Sequence, residues 1–509
     1  MLPGMPDVEQ RRAKERQLFD SGYFADSPAY GSYARDWFLY FALLVVIEVL
    51  FLTVAFSNVT AEMYAYDEAD YMFASSQGLL TNYTETPTLP LPEFIHLGLE
   101  RGGSSTERAG LSELIRNSGD ILFYRHWHGL TYFFALIPVT NLHLDEKGTR
   151  SALLFIAILA IALVYIGLTW LVPGQMGKAA ALVAVSLFAF SSAMFLTPEL
   201  APHKLFALFY LGALIALAKV IVTGKTRYWY LAVVFAGLAI STLEVAFVLV
   251  FTLLIVGVVE RKRMNWNWPL VVRSLAVLII TLLVTWPGSL LKLSIVKSYL
   301  FMAYLGAHNK GVWGGETFTE TWAKRFFTSP VEWILIILAF GIYCADRDLR
   351  RRVRPMYPFL IFAFVMILAT LRIKTGQLRY ALPFQPALDV FAGVVIVAAL
   401  WTWKPKLAYP ASIALTSALA ISMFYQLHAH PAIPYPRNLE LVNYIKEHGW
   451  TDKTILVYAS DGPVLHYYFP HARARFYRDN PPTEADIQSS GADVLLLPDY
   501  PIRSVEIQK

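Results

Sequence analysis

One cysteine, Cys344, stands in 509 residues, so the chain can form neither an intrachain disulfide nor a thiolate metal cluster. Inert packing within a helix is the expectation for that thiol. Charge is also scarce: 16% of residues are Asp, Glu, Lys or Arg, where an ordinary soluble domain carries about 25%. With 56% hydrophobic residues and a mean hydropathy of +0.46, a soluble globular chain is excluded. A cleavable signal peptide is not expected either, because the first apolar run follows a polar stretch holding Arg11, Arg12, Lys14 and Arg16. That run is expected to stay in the membrane as a start-transfer helix. The net charge of +5 is no sign of nucleic acid, since basic residues gather at membrane edges for topological reasons.

What the chain does have is apolar runs long enough to cross a hydrocarbon core of about 30 Å, and each must be helical because lipid offers backbone groups no partners. Spans are expected near 37–56, 150–172, 178–196, 203–223, 228–242, 243–259, 268–290, 331–346, 355–371, 380–402 and 408–426. The run over 228–259 is too long for one crossing and is divided at Ser241-Thr242-Leu243-Glu244. Lys and Arg cluster in the N-terminal tail, from Lys219 to Arg227, at Arg261-Lys262-Arg263, from Arg347 to Arg354, and at Lys404 and Lys406. All five clusters fall on one side of this arrangement, which the positive-inside tendency makes the cytoplasm. The segments 57–149, 197–203, 291–330, 372–379 and 427–509 then lie outside, with the N-terminus in the cytoplasm and the C-terminal segment outside. The run from Ile121 to Val139 would break this parity as a crossing and is read as a re-entrant or juxtamembrane helix, which sets the range at about 11 to 13 spans.

After Tyr425 the apolar density drops. A helix is expected over 438–448, buried strands over 454–458 and 492–497, and a helix over 462–468. The domains are therefore a cytoplasmic tail (1–36), a membrane unit (37–426) with large external loops at 57–149 and 291–330, and a small extracytoplasmic α/β unit (427–509). That last unit carries no Gly-rich phosphate fingerprint and no metal spacing, so an accessory role is expected for it.

Four external stretches carry chemistry. Just beyond the first span, Asp67, Glu68 and Asp70 stand among Tyr64, Tyr66 and Tyr71. Acids at a helix start are common on electrostatic grounds, but at headgroup depth a carboxylate can also deprotonate an acceptor hydroxyl or hold a divalent cation against a phosphate. Arg125, His126 and His128 interleave with aromatic residues where the same segment returns to the membrane, and could grip a phosphate or a sugar. Glu199, in the short loop before His203 and Lys204, is a second acid or a simple polar turn. Arg372, Lys374 and Arg379, followed by Tyr380, put three cations on the side where cations are disfavoured. An anionic lipid phosphate would compensate them, Arg379 as a bidentate fork and Lys374 as a point charge. The loop 291–330 is similarly basic, with aromatic faces suited to a sugar or an isoprenoid. Glu48 and Asp389 lie at membrane depth, where pairing with a partner and lining a pathway are both open to them. The sequons at Asn58 and Asn82 carry no weight.

In this order and on these sides, the features resemble the GT-C-type membrane glycosyltransferases, the group holding the protein O-mannosyltransferases and the aminoarabinose transferases of lipid A. Asp67-Glu68 with Tyr71 resembles the acid pair after that family's first span. His126-Trp127-His128-Gly129-Leu130-Thr131-Tyr132 resembles its re-entry segment without the prolines, Arg150 its arginine opening the next span, and Arg379-Tyr380-Ala381-Leu382-Pro383-Phe384-Gln385-Pro386 its late basic, Pro-rich motif. The resemblance covers roughly 37–426. It implies a polyprenyl-phosphate sugar donor bound at the outer leaflet of an inner or plasma membrane, a glycan, lipid or protein acceptor, and inversion at the sugar. Asp67 is then the general base or acceptor-orienting acid, with Glu68 beside it, and Arg379 the binder of the lipid phosphate, aided by Lys374, Tyr380, Arg125, His126 and His128. Glu199 replaces a frequent aspartate, so a divalent cation (Mg or Mn) held by Asp67 and Glu199 is a candidate cofactor only. The alternative function is a transporter or flippase of a lipid-linked saccharide, which calls for midplane polar groups and an internal repeat, and no repeat is visible. A receptor or scaffold would leave the external acids and bases without a use.

Overall fold

The computed structural model describes residues 33–59, 61, 63–64, 67–76, 130–172, 174–197, 200–286, 316–371, 377–429, 436–458, 461–477, 482–497 and 501–507. The membrane part runs α1 (Tyr33–Asn58), α2 (Asp67–Ser76), α3 (Leu130–Asn141), α4 (Glu146–Leu171), α5 (Gly174–Ala189), the single turn α6 (Ser192–Phe195), α7 (His203–Thr223), α8 (Thr226–Ile240) and α9 (Val248–Val259). It continues through α10 (Trp268–Thr285), α11 (Phe318–Thr328), α12 (Pro330–Ala345), the short α13 (Arg347–Arg352), α14 (Tyr357–Thr370), α15 (Gln385–Trp403) and α16 (Pro405–Ala429). Each of the eleven expected spans is met by one of these helices. By length and composition alone six qualify as crossings, or seven if α11 and α12, bent by 100° at Ser329, count as one broken span. The rest are shorter than the roughly 20 residues a straight crossing takes. The division of the run 228–259 falls where α8 ends at Ile240 and a 3-10 turn spans Glu244–Phe247.

Small residues let the helices approach closely, which is how packing is gained where lipid tails are as apolar as leucine. α5 lies at the centre, buried along nearly its whole length, and at 16 residues it is sheltered from lipid by its neighbours. α15 crosses it where Gly393 faces Ala184; a Cβ built on Gly393 would stand 2.5 Å from the Ala184 Cα. Gly212 likewise admits Phe235 between α7 and α8, and Gly167 admits Ile215 between α4 and α7.

Hydrogen bonds gather the helix ends into two faces. At one, Arg263 Nη2 donates to the Val222 carbonyl at 2.6 Å, Arg354 Nη2 to Glu260 Oε1 at 2.6 Å, and Trp403 Nε1 to Asp346 Oδ2 at 3.4 Å. This is the basic end, carrying the described Lys and Arg clusters together. Cys344 lies in a helix as expected but is exposed rather than packed, because it falls on the outward side of the last turn of α12, whose carbonyl is taken by Arg350. At the opposite end the Thr131 N–H donates to the Ser241 carbonyl at 2.9 Å and Thr285 Oγ1 to Ser241 Oγ at 3.0 Å, tying α3 to the tips of α8 and α10. α3 therefore starts and finishes on one face and does not cross.

The C-terminal chain forms α17 (Pro436–Glu447), β1 (Thr454–Tyr458), α18 (Gly462–Tyr468), β2 (Arg473–Tyr477), α19 (Glu484–Ser490), β3 (Val494–Leu496) and β4 (Ser504–Glu506). The sheet order is β2-β1-β3-β4, with β1 parallel to both β2 and β3, and β4 antiparallel to β3. Ile455 and Val457 of β1, Val494 and Leu496 of β3, and Leu441 and Ile445 of α17 are buried in one apolar cluster. That same cluster takes in Tyr71 and Met72 of α2, Tyr132 and Phe133 of α3, Leu153 of α4, Leu205 of α7 and Trp286 after α10. The α/β unit and the non-basic end of the bundle thus share a core.

Candidate functional site

α2 opens at Asp67, in a chain that has just left α1, and is held by contacts on three sides. Glu68 receives Arg150 of α4 through Nη2 at 2.7 Å and Nε at 3.4 Å, the two side chains being 16% and 6% exposed. The same guanidinium lies 5.2 Å from the centre of the Tyr64 ring, a cation over a π face. Tyr71 meets Tyr132 of α3 edge-on at 5.3 Å. From the α/β unit, Tyr468 accepts a hydrogen bond from the Tyr64 N–H at 2.8 Å and donates to Glu146 Oε1 at 2.8 Å; Tyr467 packs edge-on to Tyr64 at 5.1 Å and His466 stacks on Phe73 at 5.5 Å. Burial pushes the Tyr64 phenol above its ordinary value, with Thr149 and Arg150 pulling the other way. Burial does the same to Tyr468, helped by the Glu146 carboxylate. Both stay protonated donors across the working pH range.

The second half of the site is cationic. A 3-10 turn, Leu378–Tyr380, precedes α15, and in it Arg379 lies over the Tyr380 ring at 5.1 Å with Nη2 3.4 Å from the Tyr380 hydroxyl. Tyr380 meets the His203 ring edge-on at 6.0 Å. His203 and Lys204 are both buried in the first turn of α7, whose N-cap, Pro202, provides no side-chain cap. A helix N-terminus exposes backbone N–H groups and a partial positive charge, so Arg379, His203, Lys204 and this helix end form an arrangement suited to a phosphate. Leu200 and Leu205, on either side of His203-Lys204, enter the cluster that holds α2 and α3, which places both halves at one end of the bundle.

Beneath the cationic turn lies a buried polar staple. Glu332 in α12 accepts from Gln385 Nε2 of α15, with Ser329 and Asp389 close by. Ser329, at the 100° bend, hydrogen-bonds the hydroxyl of Ser192, whose N–H donates to it at 3.3 Å. Asp389 is 0% exposed, and neither of its carboxyl oxygens has a hydrogen-bond partner among the described residues. Glu332, 57 residues away in sequence, is the acid beside it. Glu48 is half-buried in α1.

Of the candidate residues, the structure describes Glu68, Arg379 and Tyr380 in full and brings them to one end of the bundle. Asp67 is the first residue of α2, but its side chain lies outside the described residues, as do Glu199, Lys374, Arg125, His126 and His128. His203 and Lys204 are passed over on sequence alone; a His-Lys pair directly after Pro202 at a span start is the signal that points to them. Among the described residues no group of three or more His, Cys, Asp or Glu side chains could hold a metal ion, and the one described acid of the first cluster, Glu68, is engaged by Arg150.

Helix order, central bundle and C-terminal sheet together define a polytopic helical membrane protein with the GT-C glycosyltransferase fold. Residues 128–286, from the start of α3 through α10, match the family described as dolichyl-phosphate-mannose-protein mannosyltransferase. Among solved structures, the archaeal oligosaccharyltransferase AglB from Archaeoglobus fulgidus, in complex with an inhibitory peptide and a dolichol-phosphate, is 12% identical and superposes with a TM-score of 0.57 over 91% of this chain and 69% of its own. ArnT from Cupriavidus metallidurans in the apo state is 15% identical, with a TM-score of 0.54 over 90% of this chain and 89% of its own. A complex of the Archaeoglobus oligosaccharyltransferase with Zn and sulfate gives a TM-score of 0.55 at 13% identity, over 89% of this chain and 67% of its own. No curated protein sequence matches the chain.

Proposed function

We propose that the protein is a glycosyltransferase moving a sugar from a polyprenyl-phosphate-linked donor to an acceptor hydroxyl or amine on the extracytoplasmic face. The observation that carries this reading is that the acid-bearing start of α2, the turn holding Arg379 and Tyr380, and the start of α7 at His203 and Lys204 lie at the same end of the bundle, opposite the basic clusters. Transfer needs these two things: a base for the acceptor and a cation for the departing phosphate. The dolichol-phosphate bound to the archaeal oligosaccharyltransferase supports a lipid phosphate as the leaving group.

In this reading the acceptor oxygen attacks the anomeric carbon from the side opposite the phosphate. The bond from that carbon to the phosphate oxygen breaks with its electron pair going to the polyprenyl phosphate, and the acceptor proton passes to Asp67. The sugar is inverted. Glu68, held by Arg150, orients Asp67 rather than taking the proton itself. Arg379 takes the phosphate, with Lys374, Arg125, His126 and His128 as further candidate binders and Tyr380 backing the guanidinium. A divalent cation, Mg or Mn, would neutralise phosphate charge if Asp67 and Glu199 held it. The membrane unit (37–426) does the chemistry, with the N-terminus cytoplasmic and the unit at 427–509 extracytoplasmic.

The test is transfer from lipid-linked sugars in proteoliposomes by wild type, Asp67→Asn and Arg379→Ala. Asp67→Asn should lose at least about a hundredfold in rate, the scale of general-base catalysis. Full activity in both variants would reject the site. A lipid-linked sugar that changes leaflet with its glycosidic bond intact would instead favour transport.

A further inference from the structure

The α/β unit carries no chemical motif of its own, yet it reaches into the acid-bearing end of the bundle at a specific point. The Tyr468 hydroxyl bridges two groups: it accepts from the backbone N–H of Tyr64, three residues before Asp67, at 2.8 Å, and donates to the Glu146 carboxylate at 2.8 Å. Glu146 lies one turn before Arg150 on α4, and residues four apart share a helix face. Arg150 in turn holds Glu68 at 2.7 Å and covers the Tyr64 ring. A closed bracket results, running from Tyr64 through Tyr468, Glu146 and Arg150 to Glu68 and so back along the chain. α18 packs along α2, with His466 on Phe73, and completes the hold.

We propose that the α/β unit is a working part of the site, and that Tyr468 is the positioning residue through which it fixes the backbone entering Asp67. This rests on the reading of α2 as the acid-bearing element. Apolar packing between the unit and α2 could be met by many side chains. The bridge could not, because it takes a group that accepts from an amide and donates to a carboxylate at once, within reach of both, and a phenol hydroxyl does so. A phenylalanine keeps the ring against Tyr467 and Tyr64 and removes only the bridge.

The experiment compares wild type, Tyr468→Phe, Glu146→Leu and the double variant, full length and reconstituted. Hydrogen exchange is read by mass spectrometry, and kcat and KM are read with polyprenyl-phosphate mannose and other polyprenyl-phosphate sugars as probes. In Tyr468→Phe, exchange across residues 63–76 should rise about tenfold while that of α7 and α15 stays as in wild type, and kcat should fall about tenfold with donor KM unchanged, a tenfold change being the scale of one hydrogen bond. The double variant should be no worse than the worse single, as expected of two residues acting through one bridge. Exchange across 63–76 within about twofold of wild type, or kcat retained once that protection is lost, overturns the proposal. Asp67→Asn run alongside separates the two readings: full transfer there rejects the catalytic assignment, while the exchange result still decides whether Tyr468 holds the segment.

Discussion

Breaking the Glu68–Arg150 pair should weaken the fold far more than removing both partners. The oxygen and nitrogen approach to 2.7 Å, which puts the charge centres about 4 Å apart and their attraction at about 4 kcal/mol for an effective dielectric constant near 20. Most of that is offset by the desolvation of two side chains that are largely buried, so the intact pair is worth little against well-packed apolar residues. Glu68→Leu, by contrast, takes from the Arg150 guanidinium its carboxylate at 2.7 Å and leaves the Tyr64 ring, worth about 0.5–2 kcal/mol. The single variant should lose about 3 kcal/mol, at the low end of measured buried-pair disruptions. Glu68→Leu combined with Arg150→Met should lose only about 1 kcal/mol, recovering about 2 kcal/mol of the Glu68→Leu loss. Equilibrium unfolding in mixed micelles, titrated with an ionic detergent, measures all four corners of the cycle. A coupling below about 0.5 kcal/mol would refute the pair as the element holding α2 on α4.

Gly393→Val should prevent correct packing of α15 on α5, because its Cβ would stand 2.5 Å and 2.6 Å from backbone atoms of Ala184, with no flexible side chain to give way; a loss of monodisperse protein in size-exclusion chromatography is the readout. Gly341→Ala is the control: nothing lies within 4 Å of its added Cβ, and alanine should stabilise α12 by about 0.5–1 kcal/mol. In the polar staple, Glu332→Gln should be tolerated and Glu332→Ala should lose about 1–3 kcal/mol by leaving Gln385 buried without that partner, read as thermal midpoints. The Tyr468 phenol, raised first by burial and then by Glu146, sets an alkaline limit. An unfolded chain releases tyrosine protons near pH 10 before the folded one does, so this contribution is whole below that pH and is lost as pH rises beyond it. The thermal midpoint of wild type should therefore fall more steeply above about pH 10 than that of Tyr468→Phe.

The membrane helices were readable because lipid imposes one rule on every span, and the charge clusters follow another; together they set the order of the helices and put the described basic clusters at one end. The buried strands β1 and β3 were readable for a similar reason, as short apolar runs bounded by turns. β2 was not, since Arg473-Ala474-Arg475-Phe476-Tyr477 alternates charge with bulk and sits at a sheet edge, where no apolar run is demanded. β4, exposed and three residues long, gives still less signal. Contacts at long range were the other loss. Asp389 announced itself by its depth, but periodicity within one helix says nothing of Glu332 on another. Arg150 stands out in the sequence at the start of a span, while its hold on Glu68 joins residues 82 apart. Glu199 and the histidines before α3 belong to segments outside the described residues, and their roles rest on sequence.

Tyr64 and Tyr468 are 404 residues apart. A ribosome feeding this chain into a membrane will have placed every span before it reaches the tyrosine that closes the bracket around α2. Closure of that bracket is therefore a late event of biogenesis rather than an early one. During synthesis the protein is an inserted bundle whose α2 is not yet held by the α/β unit, and a chain halted anywhere between α16 and α18 would be lodged in the bilayer with its spans formed and the bracket open.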